Sequence, residues 1–239
     1  MRKAIVIGAT SGIGKALAEV LSQRGYAVGA AGRNEDALAE LQRGLPGETH
    51  TLRIDVSCWE EAAERLRELI AQMGGVDLVV ISSGIGRYNP ELEWGPEKET
   101  IDVNVSGFVA MATAALRYFR EQGHGHLVGI SSIAGVRGVR TSPAYGASKA
   151  FVSNYLEALR ANVRHTGLPI YVTNVLPGFV DTPMVRGNPR MFWVAPAEKA
   201  ARQIADAIER RPHRAYITRR WVLIAWVARH LPDWLYDRI

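Results

Sequence analysis

Lys3-Ala-Ile-Val-Ile-Gly8-Ala-Thr-Ser-Gly12-Ile-Gly14 is the stretch on which the reading of this chain turns. An apolar run ends at Ile7, glycines follow at 8, 12 and 14, and helical spacing begins at residue 12. Glycine lets the backbone turn tightly and brings its N–H groups close to a pyrophosphate at a helix N-terminus. Gly8, Thr10, Ser11, Gly12, Ile13 and Gly14 are therefore candidate cofactor contacts. A plain tight turn uses the same glycines, so the loop needs support from elsewhere. A Walker-A loop is excluded, because Gly14-Lys15 would require Gly at 9 and Ser or Thr at 16, where the chain has Ala9 and Ala16.

Working outward, further apolar runs at 27–31, 51–54, 77–81, 126–131, 170–175 and 215–218 read as strands. Most lack polar alternation, as expected of strands covered on both faces. Helical patterns lie at 12–24, 35–43, 58–73, 97–121, 144–165 and 197–211. Pro196 suits the first turn of the last one, and Pro212 stops it. Strands alternating with helices predict an α/β fold: one Rossmann-type, doubly wound parallel sheet of about seven strands, flanked by helices. There is no repeat, low-complexity tract or linker, so residues 1–239 read as a single catalytic domain, with 219–239 a basic, apolar helical extension.

The chain has 239 residues, 47% hydrophobic and 22% charged, which fits a globular protein and excludes disorder. One cysteine, Cys58, excludes an intrachain disulfide and a Cys-based zinc site. The six histidines form no metal-binding spacing, so no metal is expected. The net charge is +5, but residues 201–239 carry eight arginines, four acids and three of the six tryptophans. The remainder is near neutral, which argues against a nucleic-acid binder. The apolar run after Met1-Arg2-Lys3 is too short for a signal peptide, and no run is long enough for a membrane span. A cytoplasmic location is the expectation.

The second strand leads into Gly32-Arg33-Asn34. An NAD enzyme places an acid here for the ribose 2′-hydroxyl. A guanidinium instead suits a 2′-phosphate, so Arg33 predicts NADP(H) in preference to NAD(H). A solvated surface charge is the alternative. Asn34 reads as the cap of the next helix, with Glu35 and Asp36 in its first turn.

Tyr145 and Lys149 stand four residues apart, one turn apart on a helix face. A tyrosine hydroxyl titrates near ~10 in isolation; a neighbouring ammonium favours its anion, as would the positive ring of an oxidised nicotinamide, so a lowered pKa is expected. Thirteen residues before Tyr145 stands Ser132, in Gly129-Ile-Ser131-Ser132-Ile133. Ile133 breaks the glycine-flanked serine of an esterase elbow.

Together these residues closely resemble the short-chain dehydrogenase/reductase family. The resemblance rests on Gly8, Gly12, Gly14, Asp55, Asn104, Ser132, Tyr145, Lys149 and Pro177-Gly178-Phe-Val180-Asp-Thr182, and it covers residues 3 to about 218. It implies roles at these positions. Tyr145 would exchange the proton, Lys149 would lower its pKa and hold the nicotinamide ribose, and Ser132 would hydrogen-bond the substrate oxygen. Asn104 would hold a water in a relay to Lys149. Asp55 and Val56, ending the third strand, would contact adenine; Pro177, Gly178, Val180 and Thr182 would cradle the nicotinamide. Ser83 and Gly84 would lie near the ribose. The chain departs from the family with Ile7 for the usual Thr, and with Ile81-Ser82-Ser83-Gly84 for Asn-Asn-Ala-Gly. Losing both partners together suggests a repacked sheet core.

The family's pocket segments here supply Ile85, Val136, Met184, Phe192 and Trp193, with Tyr88 and Met191 nearby, implying a fairly hydrophobic carbonyl or alcohol substrate. Packing within the lid is the alternative for each. Arg137, Arg140, Arg186 and Arg190 flank this region and suit either an anionic substrate or solvent. The resemblance also implies a homodimer or homotetramer. A dinucleotide-binding regulator without turnover would typically lack Tyr145 or Lys149. The extension is expected to pack on a subunit or under the lid, a reading preferred to peripheral contact with a membrane by a surface reductase of lipid-like carbonyls.

Overall fold

The apolar runs become seven parallel strands: β1 Lys3–Ile7, β2 Ala27–Gly32, β3 Thr49–Arg53, β4 Leu78–Ile81, β5 Gly125–Ile130, β6 Ile170–Pro177 and β7 Arg214–Ile217. They form one sheet in the order β3-β2-β1-β4-β5-β6-β7. The computed structural model describes residues 1–184, 191–236 and 238. The helices are α1 Gly12–Gln23, α2 Glu35–Gly44, α3 Trp59–Gln72, α4 Trp94–Ile101, α5 Phe108–Gln122, α6 Pro143–Arg164, α7 Ala197–Arg210, α8 Trp221–His230 and α9 Asp233–Tyr236.

Alternate residues of β1 feed two cores. Ala4 and Val6 pack with Leu17 and Leu21 of α1 and with Ile204 and Ile208 of α7. Ile5 and Ile7 pack with Leu66 and Leu69 of α3 and with Met111 and Phe119 of α5. A strand buried on both faces must be apolar at every position, which is why β1 shows no alternation. Ile7 and Ile81 are register partners on β1 and β4, and neither is exposed at all. The two departures from the family pattern thus form one apolar contact, as a repacked core requires.

Three boundaries differ from the sequence reading. The pattern at 97–121 is not one helix: α4 and α5 are joined by a π-helical turn, Asp102–Gly107. Gly107 allows that turn to press against the loop after β3, since a Cβ there would lie 2.6 Å from the Val56 carbonyl oxygen. Asp55 and Val56 lie beyond the end of β3, in the turn before α3. Pro196 precedes α7 with extended backbone (ψ 142°) rather than joining its first turn. Among the described residues no helix is long and apolar enough to cross a membrane.

Candidate active site

The order reverses at β1, whose successors lie on either side of it, and a crevice opens there beyond the strand ends. The cleft has a volume of about 460 Å³. Its floor is the loop between β1 and α1, with Gly8, Thr10, Ser11, Gly12, Ile13 and Gly14 all lining it. Gly8 has φ +89°, and a Cβ on it would lie 2.6 Å from the Ser83 nitrogen. A Cβ on Gly14 would lie 2.0 Å from the Gly8 carbonyl oxygen. The turn therefore closes only without side chains, and it leaves the start of α1 facing the cleft.

Arg33, Asn34, Asp55 and Val56 line one end. Arg33 is exposed and makes no ion pair among the described residues. The Asn34 side chain is committed to capping α2, accepting from the Ala37 N–H at 3.0 Å. Partial burial raises the Asp55 pKa, but hydrogen bonds from Ser57 (Oγ 2.7 Å, N–H 3.0 Å) and the nearby Arg33 and Arg53 outweigh it, leaving the carboxyl below its ordinary value.

The other end gathers Ser132, Tyr145 and Lys149, with Pro177, Gly178, Val180, Thr182 and Met184 opposite. Ser132 stands just after β5, its Oγ accepting from the Ala134 N–H at 3.1 Å and hydrogen-bonded to the Tyr145 hydroxyl. Tyr145 and Lys149 are both on α6. Lys149 is buried; its Nζ donates to the Ile130 carbonyl at 3.0 Å and lies 5.8 Å from the centre of the Tyr145 ring. Burial pushes the lysine down to about 8. Burial also pushes the Tyr145 hydroxyl above the ordinary phenol value, with the Ser132 hydrogen bond opposing. The expected lowering of the tyrosine pKa is thus reversed in the protein itself: desolvation disfavours both charged forms.

Asn104 lies behind the cleft, in the π-helical turn. Its Oδ1 accepts from the Ile85 N–H at 2.8 Å, and its Nδ2 donates to the Ile85 carbonyl (2.8 Å) and to Ser148 Oγ (3.0 Å). Both amide hydrogens are spent, so the side chain ties the Gly84–Ile85 loop to α6 and leaves only an Oδ1 lone pair for a water. Ser148 donates in turn to the Tyr145 carbonyl at 2.8 Å, a link with no motif to betray it in the sequence. Ser83 and Gly84 line the cleft. The Ser83 Oγ is buried with no hydrogen-bond partner among the described residues.

Of the residues read as substrate pocket, Ile85 and Met184 line the cleft; Val136, Phe192 and Trp193 do not. Val136 follows the 3₁₀ turn Ile133–Gly135, away from the lining. The Phe192 and Trp193 rings pack on Trp221 of α8, with centroids 5.1 and 6.0 Å away, and Phe192 meets Phe179 at 5.8 Å. Aromatic contact with the extension wins over facing the cleft. Tyr88 is exposed and Met191 half-buried, both off the lining. Arg137 is not free for a substrate. It donates to the Ala228 carbonyl at 3.1 Å and to that of Leu231, pairs with Asp233, and stacks on Tyr236 at 4.2 Å. Arg140 is exposed, and Arg186 and Arg190 lie outside the described residues.

Sequence reasoning missed Trp221, which does not line the cleft but backs Gly178, which does. Trp221 is buried, and a Cβ on Gly178 would fall 1.9 Å from its ring. The apolar run after Arg220 pointed to the helix but not to its partner.

The Ser83 hydroxyl and Arg33, both without a partner among the described residues, and the side-chain-free glycine floor together fit a dinucleotide, with hydroxyls, a pyrophosphate and an end group to be held. Comparison with known proteins agrees. Residues 2–191 match the family model described as short chain dehydrogenase. The chain is 41% identical over 192 residues to an uncharacterized oxidoreductase of Myxococcus xanthus, covering 78% of this chain and 75% of that one. It is 35% identical over 211 residues to one from Staphylococcus epidermidis, covering 86% and 88%. Among solved structures, an actinorhodin polyketide ketoreductase with NADPH is similar (TM-score 0.81, 26% identity, 90% of this chain and 94% of that one). A Burkholderia phymatum enzyme in complex with NAD shares the fold (TM-score 0.83, 22% identity, 95% and 92%).

Proposed function

The chain belongs to the short-chain dehydrogenase/reductase family, an NAD(P)-dependent oxidoreductase, and from that premise we propose that it uses NADP(H) to interconvert a carbonyl and a secondary alcohol, chiefly as a reductase of a fairly hydrophobic substrate. One observation carries the reading: a single cleft runs from Arg33 at one end to Ser132, Tyr145 and Lys149 at the other. A bound dinucleotide would supply the hydride. The glycine loop would hold its phosphates, and Ser83 and Lys149 would offer partners to its ribose. Asp55 and Val56 would flank the adenine, and the Pro177–Thr182 segment would hold the nicotinamide end.

At the reacting end, the Tyr145 hydroxyl gives its proton to the carbonyl oxygen during reduction and takes it back during oxidation. Ser132 hydrogen-bonds the same oxygen as negative charge develops there. Because Tyr145 titrates above the ordinary phenol value, it rests in the protonated form at neutral pH, the form a reductase needs. Asn104 acts as a positioning residue, fixing Ile85 and α6 relative to each other. Ile85 and Met184 give the substrate end its apolar character. A homodimer or homotetramer is part of the same proposal.

A panel of carbonyls and alcohols followed by NADPH absorbance tests the reading. Tyr145→Phe should cut turnover by about 10²–10⁴-fold with NADPH binding kept. Tight NADPH binding with no response to any compound would favour the regulator without turnover. Arg33→Asp should raise catalytic efficiency with NAD relative to NADP; equal efficiency of the unaltered enzyme with both cofactors would sink the preference.

A further inference from the structure

Helix α8 presents apolar side chains on both sides. Trp221 and Ala225 face inward and are buried. On the outward side Val222, Leu223, Trp226 and Val227 are 48%, 61%, 60% and 41% exposed. Residues at this spacing form one stripe along a helix. A helix that is apolar all round belongs in an apolar environment, yet nothing among the described residues covers this face. The patch extends beyond α8, because Arg220 donates to the Trp193 carbonyl at 2.6 Å and lies over the Trp193 ring at 5.0 Å. Trp193 and Phe192, each nearly half exposed, thus share one surface with the helix.

Among the described residues, the charges at the two ends of α8 are cationic. Arg219 and Arg220 stand at the start of α8 and Arg229 at its end, all exposed. The nearby acid, Asp233, is already paired with Arg137. We propose that this face is a docking surface for an anionic lipid bilayer, with the apolar stripe entering the headgroup boundary and the flanking cations meeting lipid phosphates. Tryptophan among aliphatic residues, with arginine at both ends, suits that boundary. The helix is only 10 residues long, so it lies in the interface rather than crossing it.

A second copy fits this face poorly. Symmetric pairing sets the same patch against itself. Antiparallel α8 helices would bring Arg219 and Arg220 against Arg229, and parallel ones would bring each cationic end against its own copy. Like charges facing each other oppose such a contact. An anionic surface is attracted to both ends at once.

The full chain, mixed with phosphatidylcholine vesicles with and without phosphatidylglycerol, provides the test. Sedimentation should carry the protein down with the phosphatidylglycerol vesicles, with a blue shift in tryptophan emission, and added salt should release it. Leu223→Glu with Trp226→Glu, both at exposed positions, should abolish that binding while the melting temperature stays unchanged. Arg219→Ala with Arg229→Ala should weaken it several-fold. Failure to bind phosphatidylglycerol vesicles would overturn the proposal. So would a dimer in solution that the Leu223→Glu/Trp226→Glu variant splits, since a second copy would then own the face. Equal binding to vesicles lacking phosphatidylglycerol would overturn the charge assignment.

Discussion

Lys149 carries its ammonium into a site where its hydrogen-bond acceptor in the chain is the Ile130 carbonyl. Burial lowers its pKa from 10.5 to about 8. The charged form is thus disfavoured by folding, and the penalty applies in full below pH 8, where folded and unfolded chains are both protonated. Between about 8 and 10.5 the unfolded chain holds a proton that the folded one lacks, so stability gains with rising pH. Lys149→Met removes this term. The melting temperature of the variant, relative to the unaltered protein without cofactor, should be highest near neutral pH and should decline as pH rises through that window. A constant difference across the window would show that the lysine is not desolvated as described. The Tyr145–Lys149 spacing and the three loop glycines were legible in sequence, because a chemical role fixes which residue stands where. The sign of the tyrosine shift was not, because burial is a tertiary quantity that no spacing encodes.

Ile7 and Ile81 face each other across β1 and β4 in a dry layer. Ile7→Thr alone would bury a hydroxyl without a designed partner and should cost about 1–3 kcal/mol. Ile81→Asn alone should cost at least as much. If the pair acts as one contact, the double variant should lose less than the two single losses added, as read by chemical unfolding. Strict additivity would mean that the two departures are independent. The sequence allowed this pairing to be suspected, since both strands were recognisable as apolar runs. It hid the π-helical turn, because six residues between α4 and α5 keep an almost unbroken helical pattern. What marks the turn is the approach of Gly107 to Val56 and the three hydrogen bonds of Asn104, all of them contacts between distant parts of the chain.

Arg137 fastens the region after α8 to the rest of the molecule through two carbonyls, an ion pair and the Tyr236 ring. Tyr236 reinforces the clamp by donating to the Gly138 carbonyl at 2.7 Å. Arg137→Ala should lower stability by about 1–3 kcal/mol and speed tryptic cleavage near Arg229, while Arg140→Ala should stay within about 0.5 kcal/mol. Equal effects of the two would show that Arg137 is merely solvated. Charge arithmetic located the unusual segment at this scale, and the doubly wound sheet followed from the alternation of runs. Neither revealed that the segment backs the cleft, since Trp221 reaches Gly178 across more than forty intervening residues. That separation has a consequence during synthesis. At roughly 5–20 residues per second, Trp221 leaves the ribosome seconds after Gly178. The nascent chain therefore passes through an interval in which its central strands can pair while Gly178 still lacks the ring that backs it.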